Sequence, residues 1–262
     1  MSSRSRTSMA SPALARVVEL VVHRGVQRVL NGVSETLCQG EVVVIMGENG
    51  SGKTTLIEAF AGLLPLRSGD VIWVESGNSI VVRDSQGRRN QPPSMGLTLQ
   101  KGGVCGEETV MERISVSLTV AGIEHSDHQI MELLSLWGLE HRANDRLAHL
   151  SGGLRKRVAI LGGLAPAALS NSPLVVLLDE PSEGLDDSAK DILRSWIRSL
   201  SSRNHAILMA THDKDISSSA DRVLTIRDGS IEERIGKSLG DICYLPHPVS
   251  YTHLTLPTIL LV

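Results

Sequence analysis

The nine residues Gly47 to Thr55, Gly-Glu-Asn-Gly-Ser-Gly-Lys-Thr-Thr, constrain this chain more than any other stretch. They follow the apolar run Val42 to Met46 and precede Leu56-Ile57-Glu58-Ala59-Phe60, which reads as strand, glycine-rich loop and helix. Gly47, Gly52, Lys53 and Thr54 stand at the spacing of a phosphate-binding P-loop. In such a loop the backbone N–H groups, here those of Gly47, Glu48, Asn49, Gly50, Ser51, Gly52 and onward to Thr55, curl round a phosphate. The N-terminus of the following helix adds a favourable dipole. Lys53 then reaches the β- and γ-phosphates, and the Thr54 hydroxyl ligates Mg²⁺. A nucleoside triphosphate site is the first expectation.

The remaining sequence predicts the fold around that loop. Val17 to Val22 reads as a strand, and Asn31-Gly32 and Gln39-Gly40 read as turns before Val42. Asp70 to Glu75 and Ser79 to Arg83 alternate as strands about a tight turn at Ser76-Gly77-Asn78, and the polar stretch Asp84 to Ser94 reads as a mobile surface loop. Met95 to Gln100 is a further strand. Glu107 to Leu150 has helical spacing, with Ile130, Leu133, Leu134 and Trp137 on one face and Gly138 as a stop. Ser151 is placed to cap a following helix. Leu174 to Leu178 has the continuous apolar run of a buried parallel strand, Ser188 to Leu200 reads as a helix, and His205 to Ala210 and Val223 to Arg227 as strands. The expected fold is α/β, a mainly parallel sheet with helices on both faces, an antiparallel β segment and a helical subdomain inserted at about 101–150.

Composition limits the setting. At 262 residues the chain can hold one large α/β domain with a subdomain. Its net charge of −3 gives no global attraction to nucleic acid, so no nucleic-acid partner is expected. Cys38, Cys105 and Cys243 are scattered and odd in number, which matches neither a disulfide framework nor a metal knuckle and suggests a reducing compartment. No apolar run approaches the roughly 20 residues needed to cross a bilayer. A soluble, cytoplasmic protein is expected, with 1–16 a disordered lead, 17–235 a single α/β domain and 236–247 a C-terminal extension. Pro248 to Thr258 resembles the in-frame translation of a transposon-end adapter used in sequencing libraries, so 248–262 is set aside as a non-native tail.

Further chemistry gathers after the P-loop. Asp179 ends an apolar strand, where a carboxylate can hold Mg²⁺ through water, and Glu180 follows it at a position to orient or deprotonate the attacking water. Together with Gln100, Leu150-Ser151-Gly152-Gly153, Ser182 to Asp186 and His212, in that order along the chain, these residues resemble the ATP-binding cassette (ABC) ATPases over roughly Val17 to Ile235. The resemblance implies Gln100 near Mg²⁺, His212 sensing the γ-phosphate, and Ser151, Gly152 and Gly153 contacting the nucleotide held by the P-loop of a second cassette. It further implies ATP and Mg²⁺ as cofactors, a head-to-tail homo- or heterodimer, and an integral membrane transporter subunit docked on the helical subdomain and Lys101 to Val120. The location implied is cytoplasmic, peripheral to the membrane. An alternative is a soluble ABC ATPase of an iron–sulfur-assembly-like system.

The chain departs from the family pattern at a few positions. Leu154 stands where the signature usually has Gln, and Gly162-Gly163 where Ala-Arg or similar is frequent. The position that usually presents an aromatic ring to adenine falls at about His23 or Arg24, either of which can stack on a base. His125 and His128 lack further ligands and read as a solvated loop, and Arg155-Lys156-Arg157 reads as an ordinary basic helix face.

Overall fold

The computed structural model describes residues 11–100, 106–236 and 243–244. The expected lead over 1–10, the Lys101-Gly102-Gly103 break with Cys105, residues 237–242 and the tail from 245 lie outside the described residues.

The chain opens with a hairpin of β1 (Ser11–Arg24) and β2 (Gln27–Cys38), turned at Gly25, whose φ of +60° suits a primed two-residue turn. Two expectations change here. Residues 11–16, placed in the lead, are strand, with Ala13 and Ala15 buried. Asn31-Gly32, read as a turn, lies inside β2. Pairing passes from Leu20 opposite Val33 to Val21 opposite Asn31, so Gly32, at φ +69°, is the extra residue of a bulge. Cys38 ends β2 fully buried and is disulfide-bonded, contrary to the expectation of unpaired thiols.

β3 (Val42–Met46) then leads through the P-loop into α1 (Lys53–Phe60). β4 (Ser68–Glu75) and β5 (Asn78–Asp84) form a second hairpin, where Ser76 and Gly77 both have positive φ, followed by β6 (Met95–Thr98). Asp84 fastens the loop after β5 by accepting the N–H groups of Gln86 and Arg88. The inserted helices are α2 (Val110–Val120) and α3 (Asp127–Leu136), each opened by a capping box, at Thr109 with Glu112 and at Ser126 with Gln129. The chain continues through α4 (Gly152–Leu169), β7 (Val175–Asp179), α5 (Asp187–Ser202), β8 (Ala206–Ala210), α6 (Lys214–Ser218), β9 (Arg222–Arg227), β10 (Ser230–Gly236) and β11 (Cys243–Tyr244).

The main sheet has the order β10-β9-β3-β8-β7-β6, parallel except for β10, which turns back antiparallel on β9. The second sheet joins β11, β1, β4 and β5, with β2 also paired to β1. Every residue of β7 and β8 is buried, because the main sheet is covered on both faces. One face, carrying Val42, Val44, Val176, Leu178, Ile207 and Met209, packs on α2, α3, α4 and α5. The other, carrying Val43, Ile45, Val175, Leu177 and Leu208, packs on α1 and the antiparallel sheet. The expectation of helices on both faces therefore holds in modified form, since a sheet shares the second face with one helix. Between β6 and α4 the approach is close. A Cβ on Gly163 would lie 2.0 Å from Thr98 Oγ1, and one on Gly96 would lie 2.1 Å from the Gly163 carbonyl. That contact explains Gly163 at the departing position.

The two sheets are also joined by buried charge. Arg222 of β9 is ion-paired to Glu41 and to Glu35 of β2 (2.7 Å), and its remaining N–H group donates to the Thr36 carbonyl (2.7 Å). All three side chains are almost fully buried, so a lost partner would leave an uncompensated charge.

His205, 1% exposed ahead of β8, accepts the Leu174 N–H at Nδ1 (3.0 Å). Burial, aided by the charge of Arg203, lowers its pKa to about 4. Because the unfolded chain binds that proton at a pKa near 6.5, stability falls as pH drops from there towards the folded value. Urea denaturation should lose about 2 kcal/mol between pH 7 and pH 5 through this group. His205→Asn, which retains an acceptor, should flatten that part of the profile. An unchanged pH dependence in the variant would contradict the assignment.

Candidate active site

In a parallel sheet the strand ends converge on one edge, and here they deliver every catalytic candidate. Thr98 pairs with Leu178, Asp179 with Ala210, and Ile45 with Ala210, so the residues that follow β3, β6, β7 and β8 emerge side by side.

The P-loop needs its glycines. Gly47 sits at φ +148°, and a Cβ there would be 2.3 Å from the Ile226 carbonyl. Gly52, at φ +114°, is the N-cap of α1. Lys53 is folded over its own loop, with Nζ donating to the carbonyls of Gly47 (2.8 Å) and Glu48 (3.0 Å). These carbonyls hold the ammonium over the loop.

A cavity of about 500 Å³ opens above the loop, walled by Asn49, Gly50 and Gly52 to Thr55, then by Gln100, Asp179 and Glu180. Arg24, Gln27 and Val29 close its far side. An adjoining cleft of about 720 Å³ shares Asn49, Gln100 and Glu180 and adds Glu48, Glu183, Lys190, His212 and Asp213. Asp179 is fully buried, and neither carboxylate oxygen has a hydrogen-bond partner among the described residues. A buried, unpartnered carboxylate is costly unless a cation meets it. With the Thr54 hydroxyl and the Gln100 amide oxygen on the same cavity, the donor set is all oxygen, which suits Mg²⁺.

Glu180 has an unusual backbone for a glutamate, φ +46°. Its N–H donates to the Ala210 carbonyl (2.9 Å), its own carbonyl accepts from Lys156 Nζ (2.8 Å), and Oε1 lies 3.3 Å from His212 Nε2. Burial holds Lys156 below the usual lysine range, although Glu183, Asp179 and Glu180 oppose it. Gln100 donates its side-chain amide to Glu183 (3.2 Å), so the loops after β6 and β7 are joined. Ser182 and Thr211, both buried, share a hydroxyl contact of 3.1 Å that ties the loop after β7 to the loop after β8.

Ser151 does cap α4, its Oγ accepting the Leu154 N–H (3.3 Å), but Ser151, Gly152 and Gly153 are exposed and line neither cavity. Within one chain they do not meet the P-loop. Of the two base-stacking candidates, Arg24 lines the cavity, held by an ion pair to Glu58, while His23 does not. Gln27 and Val29 were missed because β2 was not read as a strand. His125 is engaged by Ser115 and the Ile123 carbonyl, and among the described residues no cluster can hold a metal in the manner of a histidine site.

Residues 30–183 match the family model described as "ABC transporter". The chain belongs to the ABC transporter family. The matched segment holds the P-loop, Gln100, the Ser151 motif and Asp179-Glu180, so the chain carries that family's ATP-binding cassette. The chain is 33% identical over 207 residues to the putative hemin import ATP-binding protein HrtA of Staphylococcus haemolyticus, covering 78% of this chain and 90% of that one. It is 32% identical over 206 residues to the lipoprotein-releasing system ATP-binding protein LolD of Granulibacter bethesdensis, covering 78% and 87%. It is also 34% identical to the macrolide export ATP-binding/permease protein MacB of Psychrobacter cryohalolentis, again over 78% of this chain, but it spans only 30% of that protein's length. Among solved structures, the dimeric ATP-binding cassette MJ0796 in a post-hydrolysis state bound to ADP and Pi has the same fold, with TM-score 0.73 at 22% identity over 85% of this chain and 98% of that one.

Lys53→Ala should weaken ATP binding by about tenfold or more, because a buried phosphate charge loses its partner. Titration with a fluorescent ATP analogue measures this, and unchanged affinity would contradict the P-loop assignment.

Proposed function

We propose that this chain is the ATP-binding and ATP-hydrolysing subunit of an ABC transporter. It powers transport through a separate membrane subunit by ATP-driven head-to-tail pairing of two cassettes. The observation that carries the reading is the division of parts: the P-loop, Asp179, Glu180 and His212 share one edge, while Ser151 to Gly153 are exposed away from it. A second copy, turned head to tail, brings its exposed helix start to the phosphate.

In this mechanism the loop N–H groups and Lys53 bind the phosphates, and Arg24 stacks on the base. Thr54 and Asp179 would hold Mg²⁺, with Gln100 beside them, and the ion, when bound, neutralises charge on the phosphates. Glu180 accepts the proton of the attacking water at its carboxylate, and His212, 3.3 Å away, orients that carboxylate and meets the γ-phosphate. Loss of that phosphate removes the contact between the copies, and they part.

Among the described residues no helix is long and apolar enough to cross a membrane. The membrane path belongs to a partner, with the chain at its cytoplasmic face. A groove of about 490 Å³ between Pro92 to Met95, α2 and Pro166 supports docking there, with Val116 (46% exposed) and Val120 (79%) bare at its side. HrtA, LolD and MacB are named for hemin import, lipoprotein release and macrolide export, which favours this reading over the soluble-assembly alternative.

Glu180→Gln should bind ATP with near-native affinity, hydrolyse it at least about a hundredfold more slowly, and accumulate as an ATP-bound dimer. Phosphate release and sedimentation in ATP measure the two effects. Native turnover in this variant would remove Glu180 from the role of base.

A further inference from the structure

Lys156 is a half-buried cation on the first turns of α4, and the hydrolytic chemistry above leaves it without a part. Its Nζ donates to the backbone carbonyl of Glu180 (2.8 Å). That carbonyl belongs to the residue held at φ +46°, a backbone region that is strained for a non-glycine residue and persists only where neighbours enforce it. The N–H of the same residue is fixed by the Ala210 carbonyl at 2.9 Å. The backbone of Glu180 is thus gripped from both sides, by β8 through its N–H and by α4 through its C=O. The direction of the Glu180 carboxylate towards His212 follows from that backbone.

The neighbouring residue of α4 grips the other end of the same loop. Arg157 Nη2 donates to both oxygens of Asp186, at 2.7 and 2.8 Å, and Nη1 reaches the Trp137 carbonyl (3.4 Å). Asp186 caps α5 by accepting the Ala189 N–H. Adjacent residues of one helix therefore hold Glu180 and Asp186, the two ends of the loop that follows β7. The same helix starts at Ser151, five residues before Lys156.

We propose that Lys156 is a positioning residue for hydrolysis: through the Glu180 carbonyl it sets the catalytic carboxylate, and it ties that setting to the helix whose first turn faces the second cassette's nucleotide. Contact at Ser151 in one site thereby reaches the base of the other site through α4. This rests on Glu180 being the base. Lys156 touches no substrate atom, so its loss should act on turnover and not on ATP binding.

The test uses the purified full chain, at protein concentrations where specific activity no longer rises. Lys156→Met keeps the aliphatic stem and removes the donor, and Lys156→Arg keeps a donor. In Lys156→Met, kcat should fall about tenfold or more with KM for ATP within about twofold, as expected for a misdirected base with intact binding. Lys156→Arg should recover most of the loss. Combined with Glu180→Gln, Lys156→Met should add no further loss, since both act through one group. Native kcat in Lys156→Met, a parallel rise in KM, or a loss that Lys156→Arg does not restore would overturn the proposal. If Glu180→Gln alone turned over normally, the base assignment would fail; slow Glu180→Gln beside native Lys156→Met would reject Lys156 alone.

Discussion

A fully buried carboxylate without a hydrogen-bond partner is the constraint on which the active edge of this molecule depends. Asp179 ends β7, a strand flanked by β6 and β8 and buried along its whole length. Its oxygens have almost no exposed surface although the residue walls the cavity, and no described group donates to them. A buried carboxylate without a donor is unfavourable and is relieved by a cation. The surroundings are arranged for that relief: Thr54 begins α1 on the same cavity, Gln100 enters from the next strand, and Lys53 waits on the carbonyls of its own loop. Under the proposed function, nucleotide and metal would meet these groups and balance the buried carboxylate.

The packing that holds this edge is close and specific. Two glycines, Gly96 and Gly163, let α4, the helix that carries the Ser151 motif, lie directly on β6 in the sheet that carries Asp179. On the remote side Arg222, Glu35 and Glu41 bind the antiparallel sheet to β9. The strands between these fastenings have little freedom to shift, which is what a site assembled from four loops requires.

Much of this was legible in the sequence, for identifiable reasons. Val42 to Met46, Leu174 to Leu178 and His205 to Ala210 read as buried strands because both faces of the main sheet are covered, leaving continuous apolar runs. The P-loop read correctly because its glycines answer to real backbone demands at Gly47 and Gly52. β2 escaped because its bulge, Asn31-Gly32, carries the residue signal of a turn. The start of β1 escaped because Ser11, Pro12 and Ala13 have little strand preference of their own and are ordered by pairing with β2 and β11. β10 is a polar edge strand with no apolar run to mark it. Lys156 read as one of three basic residues on a helix, since its contact with Glu180 exists only after α4 and β7 have packed.

The Ser151 motif gives the P-loop its final meaning. It is exposed and away from the cavity of its own chain, and under the proposed function each nucleotide site is therefore the joint property of two molecules. Mixing two inactive variants measures this directly: Lys53→Ala, which spoils the P-loop, and Gly153→Asp, which sets a carboxylate against the incoming phosphate. Each alone should be inactive. An equimolar mixture pairs half its chains into mixed dimers with one intact site each, so activity should return, up to about a quarter of the wild-type ATPase rate. No recovery on mixing, with both variants folded and able to pair, would contradict the shared site.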